Sequence, residues 1–175
     1  AVYTGGGLLA AADKAVAEAL SKLGAGLVAE GAKVYVIDDA ELERVKANYP
    51  VMWKNADAKP KLCFIGCPHL SLQQLKDWTD KVEVALKAAG NKTVLIPTVF
   101  TAPPKVLEEF NKTDYAARLK ATGVITSYIC PLMYMNNPLC KAMPVMTCSN
   151  KLRTYTTARF YTEDEILVKI TKGGK

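Results

Sequence analysis

The fold is decided by residues 62–90, which read LCFIGCPHLSLQQLKDWTDKVEVALKAAG. The first four residues form a short apolar run typical of a buried strand, and Gly66 permits a tight turn directly after it. Ser71 and Gln74 have the spacing of a capping box, and apolar residues continue at helical spacing to Gly90, which can end a helix. The stretch therefore predicts one strand, one turn and one helix.

The same alternation continues on both sides of this stretch. Further strands are predicted at residues 33–37, 94–96, 124–130 and 145–146. Further helices are predicted at residues 8–23, 42–46, 106–110, 115–119 and 166–170, the last of them after a second capping box. The apolar segment 131–140 has no regular period and is predicted to be a covered loop. Because strands that alternate with helices are typical of a parallel sheet, we predict an α/β fold: a three-layer domain over residues 1–175 with a mostly parallel sheet flanked by helices.

Composition limits the functions that the chain can have. With 50% hydrophobic and 23% charged residues among 175, it can bury one substantial core and is typical of a soluble protein. Its net charge is +6, but the basic residues are scattered among 17 acidic ones, so we expect no nucleic-acid partner. No apolar stretch is long enough to cross a bilayer and no signal-peptide pattern opens the sequence, so we expect no membrane partner and a cytoplasmic location. Because the sequence does not begin with Met, we expect it to be a piece of a longer chain.

Three cysteines follow apolar runs and precede turn or cap residues: Cys67, Cys130 and Cys148. Because the carboxyl ends of parallel strands meet at one edge of a sheet, we expect the three sulfurs to lie together there. The chain has five cysteines, and in a reducing compartment such sequence contexts favour metal binding or catalysis over disulfides. Two other interpretations stay open: each cysteine is a buried thiol at the end of a strand, or the three hold zinc. Cys63, within a strand, is expected to pack in the core.

A cationic segment begins at the third of these cysteines. Residues 148–153 read CSNKLR, so the amide groups at the start of a predicted helix lie beside Lys151 and Arg153. This arrangement suits a carboxylate or a phosphate, and the alternative is a capped surface helix with ordinary exposed cations. His69, the only histidine, is a candidate general acid or base, and a capping or packing role is its alternative.

Three segments of the sequence resemble a known family. They are residues 64–72 (FIGCPHLSL), 129–138 (ICPLMYMNNP) and 147–159 (TCSNKLRTYTTAR), and they are similar to the carboxyl-terminal half of the catalytic subunit of aconitase X. That family resembles aconitase in fold and chemistry: its members are hydro-lyases that carry an iron–sulfur cluster and dehydrate a small hydroxy acid. They include cis-3-hydroxy-L-proline dehydratases and mevalonate 5-phosphate dehydratases. Their catalytic chain is longer than this one and works with a small swivelling subunit.

The resemblance implies an aconitase-like fold and a role for each candidate residue. The implied ligands of the iron–sulfur cluster are Cys67, Cys130 and Cys148, the implied catalytic residues are Ser149 and His69, and the implied substrate-binding residues are Asn150, Lys151 and Arg153. Many relatives have Asn where Cys148 stands, which leaves open a third cysteine in the amino-terminal region of a longer chain. The implied substrate is cis-3-hydroxy-L-proline, with mevalonate 5-phosphate as the alternative. A non-catalytic domain that binds the rest of the catalytic subunit and the small subunit is the remaining alternative.

Overall fold

A computed structural model of the chain describes Gly31, Lys33 and residues 35–173. It divides into two compact units, residues 1–49 and residues 50–175, so the single domain over residues 1–175 stays a prediction. In the first unit, helix α1 (Asp39–Ala47) begins after Asp38, whose side chain accepts a hydrogen bond from the Glu41 amide. This confirms the helix predicted at 42–46, whereas the one predicted at 8–23 lies outside the described residues. Residues 35–37 form no strand, and the prediction of one there is wrong for these residues.

The second unit is built on a five-stranded sheet in which every pair of neighbouring strands is parallel. The strands are β1 (Leu62–Ile65), β2 (Thr98–Thr101), β3 (Ile125–Ser127), β4 (Val145–Thr147) and β5 (Arg159–Phe160). The helices are α2 (Leu72–Ala89), α3 (Pro104–Phe110), α4 (Asp114–Ala121), α5 (Pro131–Met135), α6 (Pro138–Ala142), α7 (Asn150–Tyr155) and α8 (Glu163–Lys172). Among the described residues, no helix combines the length and the apolar character that crossing a bilayer requires.

Helices cover both faces of the sheet. Helix α2 contacts α3, α4 and α8, and together they cover the face to which Cys63 and Ile65 of β1 contribute, the first face. Helices α5, α6 and α7 cover the opposite face, the second face, where Phe64 and Val145 pack with Met135 and other apolar residues. The alternation along β1 follows from the pleat of a strand, which sends successive side chains to opposite faces. The three-layer α/β fold with a parallel sheet is thereby confirmed.

The strand order is β3-β2-β1-β4-β5, and it places a reversal in the direction of winding next to β1. From β1 the chain proceeds outward through β2 to β3, and it then returns to place β4 on the other side of β1. The direction of winding therefore reverses between β1 and β4. In open α/β sheets, ligands bind outside the carboxyl ends of the two strands at such a reversal. Here those ends lead into residues 66–70 and 148–150.

Several local predictions are confirmed and three are corrected. Both capping boxes, at the starts of α2 and α8, are present. The strand predicted at 94–96 lies instead at β2, because the amides of Val94 and Leu95 donate to carbonyls of loop and helix residues and Pro97 has no amide hydrogen to donate. The strand predicted at 124–130 ends at Ser127. Residues 131–140 contain two short helices, α5 and α6, each with a proline in its first turn, where a missing amide hydrogen costs nothing.

We predict that Gly66→Ala destabilises the unit strongly. Gly66 has φ +111°, and a Cβ atom built on it would lie 2.3 Å from the Thr101 carbonyl oxygen. The substitution should lower the free energy of unfolding by about 3 kcal/mol, through backbone strain and backbone overlap. Gly90→Ala is the matched control: Gly90 also has positive φ, +71°, but a Cβ there meets nothing within 4 Å. Its expected cost is about 1 kcal/mol. Urea unfolding of both variants measures the difference, and equal losses would contradict the close approach to Thr101.

Candidate functional site at the carboxyl edge of the sheet

The loop after β1 is held by the end of β2. The Thr101 hydroxyl donates to the Gly66 carbonyl at 2.7 Å, and the Leu70 amide donates to the Thr101 carbonyl at 2.8 Å. Thr101 is fully buried, so these bonds form away from water. The loop carries Cys67, which is buried against the second face, and His69. Thr101 thus fixes the loop at both ends, a role that sequence reasoning missed because Thr101 lies 35 residues from Gly66 in the sequence.

Ser149 joins the carboxyl ends of β1 and β4. It is buried and precedes α7, and its hydroxyl oxygen accepts a hydrogen bond from the Leu152 amide at 2.9 Å as the helix cap. The same hydroxyl donates to the Cys67 carbonyl. Its proton and one of its lone pairs are therefore both committed within the fold. The catalytic role of Ser149 stays a prediction, and its structural role is to fix Cys67 against α7.

The thiols of Cys67 and Cys130, the thiol pair, lie together. The Cys67 thiol lies close enough to the side chains of Ser149 and Cys130 for both to influence its pKa. Burial raises the pKa of the Cys67 thiol, while the Ser149 hydroxyl and the Lys151 ammonium act in the opposite direction. Lys151 itself is exposed, and its positive charge favours a thiolate at Cys67. The structure therefore brings four of the predicted site residues together at the carboxyl edge of the sheet.

Cys148 lies on the other side of the sheet. It packs against the first-face core that includes Cys63, and burial together with the nearby Glu163 carboxylate raises the pKa of its thiol to about 12. The pleat explains this position, because Cys148 is two residues beyond Met146, a first-face residue. Within residues 35–173, no group of three His, Cys, Asp or Glu side chains is close enough to hold a metal ion. The three sulfurs thus do not meet as the sequence predicted, and the role of Cys148 as a ligand stays a prediction.

The remaining candidates are less closely connected to the thiol pair. His69 is half-buried, and its Nε2 atom is buried without a hydrogen-bond partner among the described residues. Asn150 is exposed, and its Oδ1 atom accepts hydrogen bonds from the Arg153 Nε and Nη2 atoms at 2.9 and 2.7 Å. Arg153 also lines a cavity of about 420 Å³ that includes Lys141 and Met135. Their roles in catalysis and in substrate binding stay predictions.

The fold has a solved counterpart. The chain is similar to aconitase X of Thermococcus kodakaraensis, in the crystal structure of its holo-form, with a TM-score of 0.57 at 18% sequence identity. The match covers 81% of this chain and 36% of that one, so the chain spans about a third of the length of the Thermococcus protein. At this identity the likeness shows a common fold. No curated protein matches the chain.

The family is shown by the sequence itself. A family model described as the third domain of aconitase X matches residues 60–166. These residues include all five strands of the sheet and the thiol pair, and they make up more than half of the 175-residue chain. The resemblance that the three sequence segments indicated is confirmed, and the chain belongs to the aconitase X family.

Proposed function

We propose that the whole protein is an iron–sulfur-dependent hydro-lyase that dehydrates a small hydroxy acid, with Cys67 and Cys130 supplying two ligands of the cluster. The observation that carries the proposal is the proximity of these two thiols to each other and to Lys151, at the carboxyl edge of the sheet. Family membership supports the reaction class. The five cysteines among the described residues are all free, which is typical of a reducing compartment, and we propose a cytoplasmic location.

The thiol pair fits an iron–sulfur cluster in ligand type, because cysteine thiolates hold such clusters. It supplies two ligands, whereas a cluster with one open iron needs three. Cys148 is the third candidate by sequence, but from the first face its thiol would have to pass through the sheet to join the pair. We therefore propose that the third ligand comes from another part of the protein. The remainder of the catalytic subunit would supply it, since the match covers 36% of the Thermococcus chain. A small swivelling subunit is the other proposed partner.

The residues of this chain would bind the substrate and move a proton. When bound, a cluster with an open iron acts as a Lewis acid toward the substrate hydroxyl. Lys151 would bind the substrate carboxylate and stabilise the negative charge that develops when the adjacent carbon loses its proton. Asn150, whose Oδ1 atom accepts from Arg153, would offer its side-chain NH2 group to the substrate. Between the two candidate bases we favour His69, because its Nε2 atom has no partner among residues 35–173 whereas the Ser149 hydroxyl is committed to Cys67 and Leu152.

The proposed substrate is cis-3-hydroxy-L-proline, and mevalonate 5-phosphate is the second candidate. One ammonium group beside the thiol pair suits a lone carboxylate. A phosphorylated acid needs a second cationic site, and Arg153, which lines the neighbouring cavity with Lys141, is the candidate for it. Turnover of the two acids by the whole protein, measured side by side under anaerobic conditions, distinguishes the two substrates.

We predict that Cys67→Ser and Cys130→Ser each remove the cluster from the anaerobically purified whole protein. A serine hydroxyl replaces thiolate poorly as a ligand for iron, so iron content, acid-labile sulfide and visible absorbance should all fall to near background. Cys140→Ser, a half-buried cysteine of α6, is the matched control and should keep the cluster. Cys148→Ser should also keep the cluster. Loss of the cluster in this variant would show that Cys148 is a ligand. Full turnover in protein without iron would contradict the proposed reaction.

We predict that Lys151→Gln lowers kcat/KM of the whole enzyme by about tenfold to a hundredfold, mainly through a higher KM. A charge-assisted hydrogen bond contributes roughly 1.5–3 kcal/mol, and a neutral amide keeps a donor without the charge. Lys141→Gln on α6, also an exposed lysine of the second-face helices, is the control and should leave the kinetics with the non-phosphorylated substrate unchanged. Equal kinetics for wild type and Lys151→Gln would place the carboxylate site elsewhere.

A further inference from the structure

The segment that carries Cys130 is closed by a pair of hydroxyl groups. The Ser127 hydroxyl oxygen accepts a hydrogen bond from the Ile129 amide at 3.1 Å, which forms a turn directly before Cys130. The same hydroxyl lies 3.0 Å from the hydroxyl of Tyr134 in α5. The two side chains therefore span the segment from 127 to 134 and fix Cys130 between its turn and its helix. The Ser127 carbonyl also accepts from the Ala102 amide at 3.1 Å, which ties the turn to the chain after β2.

Tyr134 also connects this segment to the strand that carries Cys67. Its ring stacks on the ring of Phe64, with centroids 5.2 Å apart and planes at 21°. Phe64 belongs to β1, is 2% exposed, and packs in the same second-face cluster as Cys67. A stacked aromatic pair of this geometry has a preferred orientation as well as buried area, so the ring defines where the Tyr134 hydroxyl lies. Tyr134 thus contacts both the strand that leads to Cys67 and the turn that precedes Cys130.

We infer that Tyr134 is a positioning residue that holds the Cys130 thiol beside Cys67, through its ring on Phe64 and its hydroxyl on Ser127. The inference rests on the proposed function only where it assigns the thiol pair to cluster binding. The contacts of Tyr134 themselves exist without any ligand. The functional consequence is that removal of the Tyr134 hydroxyl group makes the distance between the Cys67 and Cys130 sulfurs more variable, although Tyr134 contacts neither sulfur. The candidate site would therefore extend to β3 and α5.

A purely structural role for Tyr134 makes a different prediction. If the hydroxyl pair only stabilised α5, its loss would lower the free energy of unfolding and leave the spacing of the sulfurs unchanged. The test therefore needs a probe that binds only when two thiols are close. Phenylarsine oxide is such a probe: its arsenic forms one bond to each of two sulfurs, and its oxygen leaves as water with the two thiol protons.

The experiment measures the affinity of phenylarsine oxide for the reduced, iron-free full chain, by competition with a small dithiol. Cys67→Ser defines the signal that belongs to the pair. Tyr134→Phe, which keeps the ring on Phe64, should lower the affinity about fivefold, the effect of one lost hydrogen bond between neutral groups. Ser127→Ala should lower the affinity at least as much, because it also removes the acceptor of the Ile129 amide, and the double variant should be no weaker than Ser127→Ala alone, because that variant has already lost the bond to Tyr134. Tyr155→Phe, at a tyrosine that is 72% exposed, is the matched control and should bind like wild type.

Urea unfolding of every variant accompanies the binding measurement. Wild-type affinity in Tyr134→Phe, with or without a loss of stability, would overturn the inference, and so would additive losses in the double variant. If wild type and Cys67→Ser bind the probe equally, the two thiols are not paired and the inference fails with them. Failure of the proposed function looks different: the whole protein would lack iron or turnover, while the affinity for the arsenical would still depend on Tyr134.

Discussion

Residue 66 cannot carry a side chain, and the geometry of the candidate site depends on that constraint. The backbone at Gly66 approaches Thr101 so closely that a Cβ atom would overlap its carbonyl oxygen, and it does so at a positive φ of +111°. The turn at Gly66 changes the face of the sheet on which the next residue, Cys67, lies. Strand alternation from Cys63 and Ile65 would place Cys67 on the first face, yet Cys67 packs on the second face with Phe64. From there its thiol lies close to Cys130.

Local signals predicted the helices of the first face well. Capping boxes, helical spacing and terminating glycines involve residues within one or two turns of each other, so α2 and α8 could be placed from the sequence alone. Strand β2 was misplaced because its position depends on hydrogen bonds to β1 and β3, which are far away in sequence. The short helices α5 and α6 were missed because five residues are too few to show a helical period.

The candidate site was predicted in part, and the limit of the prediction is geometric. The rule that parallel strands end at one edge predicts that residues 67, 130 and 148 meet there, and in the structure Cys67 lies close to Cys130, Ser149 and Lys151. The rule does not say on which face of the sheet a residue lies. Cys148 follows Thr147 without an intervening turn, so it keeps the face of Met146 and is separated from Cys67 by the sheet. Side chains two residues apart in a strand lie on the same face. The position of Cys148 could therefore have been predicted only if the face of Met146 had been known.

The two layers of helices stabilise different things. The first face has the 18-residue helix α2 and the larger apolar core, which supply most of the burial on which the unit depends. Helices α5, α6 and α7 have five or six residues each, too few to be stable without tertiary contacts. Their positions, and with them the positions of Cys130 and Lys151, depend on a few contacts such as the Tyr134 ring on Phe64 and the Ser149 hydroxyl on Cys67. A ligand that bridges Cys67 and Cys130 would add a connection between β1 and α5, and would stabilise the layer with the least stability of its own.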